Sequence, residues 1–139
     1  RRSSDLEAFA VNRFDHERIQ NGRAAREVDQ ELCHWLEFTA EQFGVLPKDF
    51  IPVGFNVGSF DMPFVKKTFP EFSALMSYYT MDLNALMMYM FQETFRDQKA
   101  VAKKQAIEAL TALNMSGNEH DALYAAAMAF HVYNQLDNL

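Results

Sequence analysis

The segment VGFNVGSFDMPFV, residues 53 to 65, decides which fold the sequence predicts. Its first residues continue the apolar run that starts at Ile51, and this run predicts a strand over 51–55 that is covered on both faces. Its last residues predict a short helix from Phe60 to about Thr68. Asp61 is therefore expected at the start of the helix, directly after the turn from the strand.

Two interpretations of this acidic residue are open. Ligands of open parallel sheets bind beyond the carboxyl ends of the strands, which is where Asp61 is expected, and Gly54 and Gly58 allow close backbone approach there. Alternatively, Ser59 or Asp61 simply caps the helix that follows. The segment alone does not decide between a binding site and a cap.

The rest of the chain predicts an α/β fold with more helix than strand and a parallel pair of strands. Helical spacing of apolar residues predicts a helix over 24–43 that ends at Gly44, and Asp82 is placed as the N-cap of a helix over 83–91. The other predicted elements are a short strand at 6–11, a second main strand at 76–81, helices over 99–113 and 121–136, and a turn at 115–118. We expect one domain over residues 1–139.

Composition limits the class of protein. The chain is 49% hydrophobic and 23% charged, which is typical of a globular domain, and its 13 Phe and 8 Met predict a core of large side chains. A net charge of −6 argues against a protein that coats long nucleic acid, but not against a metal-dependent site that takes one strand end.

The expected location is cytoplasmic. The single cysteine, Cys33, cannot form an intramolecular disulfide, which favours a reducing compartment. No apolar run is long enough to span a bilayer, and the first four residues lead into no apolar signal segment. The sequence therefore predicts no membrane partner.

Three segments together resemble a known family. They are NVGSFDMPFV at 56–65, YYTMDLNAL at 78–86 and EHDALYAA at 119–126. In order and spacing they resemble the second half of a DEDDh-type 3′→5′ exonuclease domain, which has a ribonuclease H-like fold. The family includes proofreading subunits of DNA polymerases, RNase T and oligoribonuclease. The resemblance covers most of the chain, about the C-terminal three quarters of such a domain.

The resemblance implies a role for each matched residue. Asp61 would be a catalytic acid and metal ligand, and His120 would be the general base that takes a proton from the attacking water. Asn56 and Phe60 would support the turn and touch the terminal nucleotide. The cofactor would be two Mg²⁺ or Mn²⁺ ions that clamp the scissile phosphodiester. The substrate would be a DNA or RNA 3′ end or a short oligonucleotide.

The sequence departs from the family at two of its motifs. Ala125 stands where the family has its last metal-binding Asp. The family's first motif, Asp-x-Glu, closes a buried strand; Asp5-Leu6-Glu7 has these letters but follows four polar residues, so we interpret it as a chance match. The resemblance therefore predicts an exonuclease-like domain that lacks its first strands and is impaired or inactive. One alternative is a degenerate, non-catalytic exonuclease-like domain that serves in binding or assembly. Another is an unrelated α/β interaction domain that shares the strand–turn–helix segment by chance.

A missing first strand has a structural consequence. The strand at 51–55 would keep an unpaired apolar edge, which proteins normally cover or pair. We expect an exposed edge there, or pairing with a partner chain or a second copy that completes the sheet.

Overall fold

A computed structural model describes residues 16–117 and 121–139, without the side chains of His16 and Arg18. The predicted strand at 6–11 lies outside these residues. The chain divides into two compact units, Arg23–Leu86 and Met87–Leu139, the latter together with the residues up to Gly22. The expectation of one domain over 1–139 stays a prediction.

The described residues form mostly helix, with two short strands that pair in a parallel sheet. In order they are α1 (His16–Gln20), α2 (Ala25–Phe43), β1 (Val53–Gly54), α3 (Asp61–Thr68), α4 (Pro70–Leu75), β2 (Met81–Asp82), α5 (Leu83–Phe91), α6 (Phe95–Ala112) and α7 (Ala122–Asp137). Single turns of 3₁₀ helix occur at Pro47–Asp49 and Gln92–Thr94. The prediction of a mixed α/β fold, rich in helix and with a parallel strand pair, is confirmed at this level.

Helix α2 ends as its sequence predicts. Gly44 adopts a left-handed conformation with φ of 65°, which costs a glycine little. The Val45 N–H then donates to the Ala40 carbonyl oxygen at 3.0 Å, and the Gly44 N–H donates to that of Glu41 at 3.1 Å. These bonds satisfy carbonyl groups that the end of the helix would otherwise leave unpaired.

The two strands pair in parallel, with Val53 opposite Met81 and Gly54 opposite Asp82. One further bond continues the pairing toward the amino end, since the Met81 N–H donates to the Pro52 carbonyl oxygen at 2.9 Å. Strand β1 lies inside the predicted strand 51–55 but is shorter. On its other edge the described residues provide no neighbouring strand, and the Ile51 side chain is 47% exposed.

The predicted strand over 76–81 is wrong for all but its last residue. A helix, α4, precedes it, begun by Pro70, whose fixed φ suits the first helical position. The Ser77 Oγ then accepts a hydrogen bond from the Tyr79 N–H at 3.0 Å. This side-chain-to-backbone bond closes a local turn and withdraws that N–H from a strand ladder.

A buried acidic residue joins α2 to α4. Asp29 is only 4% exposed, and its two carboxylate oxygens accept hydrogen bonds from the backbone N–H groups of Glu71 at 3.0 Å and Phe72 at 2.8 Å. These donors belong to the first turn of α4, where no intrahelical acceptor exists. Asp29 therefore caps a helix that lies more than forty residues further along the chain.

The core of the second unit is formed where α6 packs against α7. The buried residues recur at helical spacing on both helices: Ala102, Ala106 and Leu110 on α6, and Tyr124, Met128, Val132 and Leu136 on α7. Asp121 caps α7, since its carboxylate accepts from the Leu123 and Tyr124 N–H groups. The predicted helices over 99–113 and 121–136 are confirmed, although α6 begins four residues earlier than predicted.

Membrane-spanning helices are missing from the described part of the chain, where none has both the length and the apolar character needed to cross a bilayer.

Replacing Asp29 should destabilise the first unit. We expect Asp29→Ala to lower the free energy of unfolding by about 1–3 kcal/mol, because it leaves two N–H groups at the start of α4 without their acceptor. Urea unfolding followed by circular dichroism measures this. Glu37→Ala is the matched control, since Glu37 is an exposed acid on the same helix; an equal loss in both variants would contradict the capping role.

Candidate functional site

The turn between β1 and α3 is built around Asn56. This residue has a φ of 56°, a left-handed conformation that Asn tolerates better than most residues. Its carbonyl oxygen accepts hydrogen bonds from the backbone N–H groups of Ser59 at 3.1 Å and Phe60 at 2.9 Å. The backbone thereby reverses within a few residues and enters α3 at Asp61.

A second layer of hydrogen bonds holds this turn to the end of β2. The Asp82 Oδ1 accepts from the Asn56 N–H at 3.1 Å and from the Asn84 N–H at 2.8 Å. The Asn84 side-chain amide also donates to the Asn56 Oδ1 at 2.8 Å. The prediction that Asp82 caps α5 is confirmed, and the same carboxylate also fixes the turn that carries Asp61.

Asp61 is the first residue of α3 and its side chain is exposed. The residue before the helix, Phe60, makes no side-chain cap, and the Ser59 hydroxyl donates instead to the Asn56 carbonyl oxygen at 3.3 Å. The interpretation that Ser59 or Asp61 caps this helix is therefore wrong. Within the described residues the Asp61 carboxylate has no hydrogen-bond or ion-pair partner.

Two exposed aromatic residues lie close to Asp61 in the sequence. Phe60 and Phe64 are 64% and 61% exposed, and their ring centroids lie 5.4 Å apart in an edge-to-face arrangement. Phe60 was predicted to touch a substrate, whereas Phe64 was missed. The four-residue spacing that brings neighbouring turns of a helix together could have identified Phe64.

Of the other predicted site positions, only that of Ala125 lies within the described residues, in the second unit. His120 lies outside the described residues. Ala125 is in the second turn of α7, partly exposed, and its N–H donates to the Asp121 carbonyl oxygen at 2.8 Å. The roles that the resemblance implies for His120 and for the position of Ala125 stay predictions.

The described residues do not form a complete metal site. Among residues 16–117 and 121–139, no cluster of three or more His, Cys, Asp or Glu side chains could hold a metal ion. The nearby Asp82 already accepts two hydrogen bonds. The described part of the turn thus offers one free carboxylate, Asp61, whereas a pair of divalent ions requires several oxygen ligands.

Cys33 on α2 is not placed as a nucleophile. Partial burial raises the pKa of its thiol above the ordinary value, and the carboxylates of Asp29, Glu71 and Glu37 raise this pKa further. The thiolate is the reactive form of cysteine, so at neutral pH this residue remains an unreactive thiol.

Comparison with known proteins gives no relative: no protein-family model, curated protein or solved structure matches the chain significantly.

Removing the carboxylate of Asp82 should loosen the turn. We expect Asp82→Ala to lower the free energy of unfolding by about 1–3 kcal/mol, because the Asn56 and Asn84 N–H groups both lose their acceptor. Asp61→Ala is the matched control and should change it by less than about 0.5 kcal/mol, since this carboxylate has no partner among the described residues. Thermal or urea unfolding of both variants measures the difference, and a large loss in Asp61→Ala would mean that Asp61 is a structural residue.

Alkylation of Cys33 should be slow and should depend on pH. In the folded chain we expect iodoacetamide to react more slowly at pH 8 than in urea, and to accelerate only as the pH approaches the raised pKa. The same shift means that any stability linked to this thiol is present below its unfolded pKa and is lost as the pH rises toward the folded pKa. Mass spectrometry measures the rate, and equal rates in the folded and unfolded chain would contradict the shift.

Proposed function

We propose that the chain is a DEDDh-type 3′→5′ exonuclease-like domain of ribonuclease H-like fold, which binds a nucleic-acid 3′ end or a short oligonucleotide. The observation that carries this proposal is the turn of Asn56, Phe60 and Asp61. It follows a strand of a parallel pair and presents an exposed ring and a carboxylate that has no partner among the described residues. Ligands of parallel sheets bind at this end of the strands.

The exposed aromatic pair suits the terminal base. Base–aromatic stacking contributes about 1–3 kcal/mol per base and tolerates any base, because every base has a π-face. Phe60 and Phe64 already contact each other edge to face, which restricts their motion before a base arrives.

Hydrolysis is the impaired part of the proposed function. The resemblance assigns metal binding to Asp61 and the general-base role to His120, but it also leaves Ala125 in place of an acid. One carboxylate cannot hold the pair of Mg²⁺ or Mn²⁺ ions that such a reaction needs. Loss of electrostatic stabilisation of this kind costs at least about 3 kcal/mol of transition-state stabilisation, so we expect negligible turnover.

The second candidate function is assembly by a degenerate domain of the same family. Strand β1 has no described neighbour on one edge. Helix α2 carries, besides its buried face, a second apolar stripe through Val28, Leu32 and Trp35, and Trp35 is 55% exposed. An open edge and an exposed apolar stripe are features that a partner chain or a second copy could cover.

Binding and turnover can be measured on one substrate. A 5′-labelled single-stranded octanucleotide should bind the chain, yet show negligible shortening from its 3′ end in Mg²⁺ or Mn²⁺. Phe60→Ala should weaken binding about tenfold, consistent with the loss of one stacked base. Robust degradation that a chelator abolishes would contradict the proposed impairment, whereas a gain of degradation in Ala125→Asp would favour the exonuclease over the assembly function.

The role of Asp61 has a separate test. If its carboxylate helps to hold a cation beside the 3′ end, adding Mn²⁺ should tighten oligonucleotide binding by the unaltered chain but not by Asp61→Asn. In chelator the variant should bind at least as tightly, because a negative charge near the phosphates has been removed. Asp137→Asn, an exposed acid on α7, is the control. An identical Mn²⁺ response in the unaltered chain and Asp61→Asn would exclude a metal-linked role.

A further inference from the structure

The second unit contains a cavity that the proposed function does not use. It has a volume of about 230 Å³ and lies between the end of α5, one face of α6 and the last turn of α7. Helix α6 contributes Gln98, Val101, Ala102 and Gln105, whose spacing of three and four residues places them on the same face of the helix. All of the lining residues belong to the second unit.

One part of the cavity wall is apolar. Met87 and Leu136 are buried, and Phe91 adds an aromatic ring that is partly exposed. A flexible thioether packs favourably against aromatic groups, and aromatic rings pair edge to face or offset with one another. This part of the wall therefore suits a flat, apolar ring.

The polar part of the wall consists of amide side chains. They are those of Gln98 and Gln105 on α6 and of Gln135 on α7. Each amide offers hydrogen-bond donors and an acceptor and carries no charge. None of the three has a hydrogen-bond partner within the described residues. These amide groups are therefore available to a ligand.

The lining also determines the charge of the ligand. Although 23% of the chain is charged, no Asp, Glu, Lys or Arg of the described residues lines this cavity. A charged ligand would lose hydration on entry and would meet no opposite charge, which is costly. An uncharged ligand with a polar edge would exchange water for the glutamine amides. The cavity therefore favours an uncharged ligand.

The volume restricts the ligand to a small molecule. Cavities that hold drug-sized ligands measure about 300–1,000 Å³, and this cavity is smaller. A single ring with one polar substituent is consistent with that size.

The backbone beside the cavity has an unusual conformation. Gln92, which follows Phe91, has a φ of 44°, in the left-handed region that residues other than glycine rarely adopt. Such conformations cost free energy and cluster at binding and catalytic sites. The corner between α5 and α6 thus keeps Phe91 at the cavity in spite of this cost.

We propose that this cavity binds a small, uncharged, planar ligand: an aromatic or heteroaromatic ring that carries a carboxamide or an equivalent donor–acceptor pair. The ring packs against Phe91 and Met87, and the polar group forms hydrogen bonds with the glutamine amides. The proposal does not depend on the proposed function, because the turn of Asn56, Phe60 and Asp61 belongs to the other unit.

Three probes of similar shape test the chemistry of the ligand. Benzamide should shift the side-chain amide signals of glutamine in two-dimensional ¹H–¹⁵N NMR spectra, and a titration gives its affinity. Benzoate, which carries a charge, and toluene, which has no hydrogen-bonding group, should each bind about tenfold more weakly. Equal affinity for benzoate would overturn the selection of an uncharged ligand, and equal affinity for toluene would overturn the role of the amides.

The glutamines have a readout that a merely structural role would not change. Gln105→Leu and Gln135→Leu should each weaken benzamide binding about fivefold, the loss of one hydrogen bond, and should leave toluene binding unchanged or stronger. Gln30→Leu is the matched control, since Gln30 is an exposed glutamine on α2. If the variants weaken both probes equally, the glutamines act on the structure of the wall and the proposed hydrogen bonds are wrong.

Filling the cavity tests its location. Ala102→Leu places a larger side chain in the cavity and should abolish benzamide binding, whereas Ala100→Leu, at an exposed position of the same helix, should not. Thermal unfolding shows whether each variant is folded. Val101→Phe, at a lining position that is 49% exposed, is the second filling variant if Ala102→Leu does not fold. Full benzamide binding by a folded filling variant, or no benzamide binding by the unaltered chain, would overturn the proposal.

Discussion

The two hydrogen bonds accepted by the Asp82 Oδ1 are the interaction on which the first unit depends. One bond caps α5 through the Asn84 N–H, and the other holds the Asn56 N–H at the end of the turn. Because Asp82 is also a residue of β2 and pairs with Gly54, a single carboxylate joins the sheet, a helix start and the turn. Asn56 is in a left-handed conformation. Without the Asp82 carboxylate its N–H would have no acceptor, and the direction in which the turn presents Phe60 and Asp61 would not be fixed.

Local patterns predicted the helices well and the contacts between them poorly. Helix α2, with its stop at Gly44, and helix α5, with its cap at Asp82, follow from periodicity and from terminal residues within a few positions. Helix α4 was missed because its start depends on a carboxylate from α2, and the Asp29–Glu71 bond spans 42 residues. No window of neighbouring residues contains both partners of such a bond. The Ser77 turn was missed because Tyr78 and Tyr79 have the aromatic composition that favours a strand.

The sequence predicts where the candidate site lies, but not the hydrogen-bond partners or the exposure of its side chains. The segment around Asn56 predicts a turn into a helix, and the structure has that turn. Whether Asp61 caps the helix depends on which backbone groups form hydrogen bonds with the Ser59 hydroxyl and the Asp82 carboxylate. Only the folded chain determines these partners. Composition also predicted that the phenylalanines form the core, yet Phe60 and Phe64 are largely exposed. Composition alone therefore does not reveal that the aromatic residues at the turn are exposed.

The distribution of charge indicates how a nucleic acid could be held. Affinity for nucleic acid usually comes from many phosphate contacts, each of which releases counterions. This chain has a net charge of −6, so the proposed binding of a strand end would gain little from this electrostatic contribution. In the proposed function, stacking of a base on the exposed Phe60 ring does not depend on the net charge of the chain. A protein that binds in this way favours short, unpaired strands over duplexes, because in a duplex the bases already stack on one another and their faces are not available.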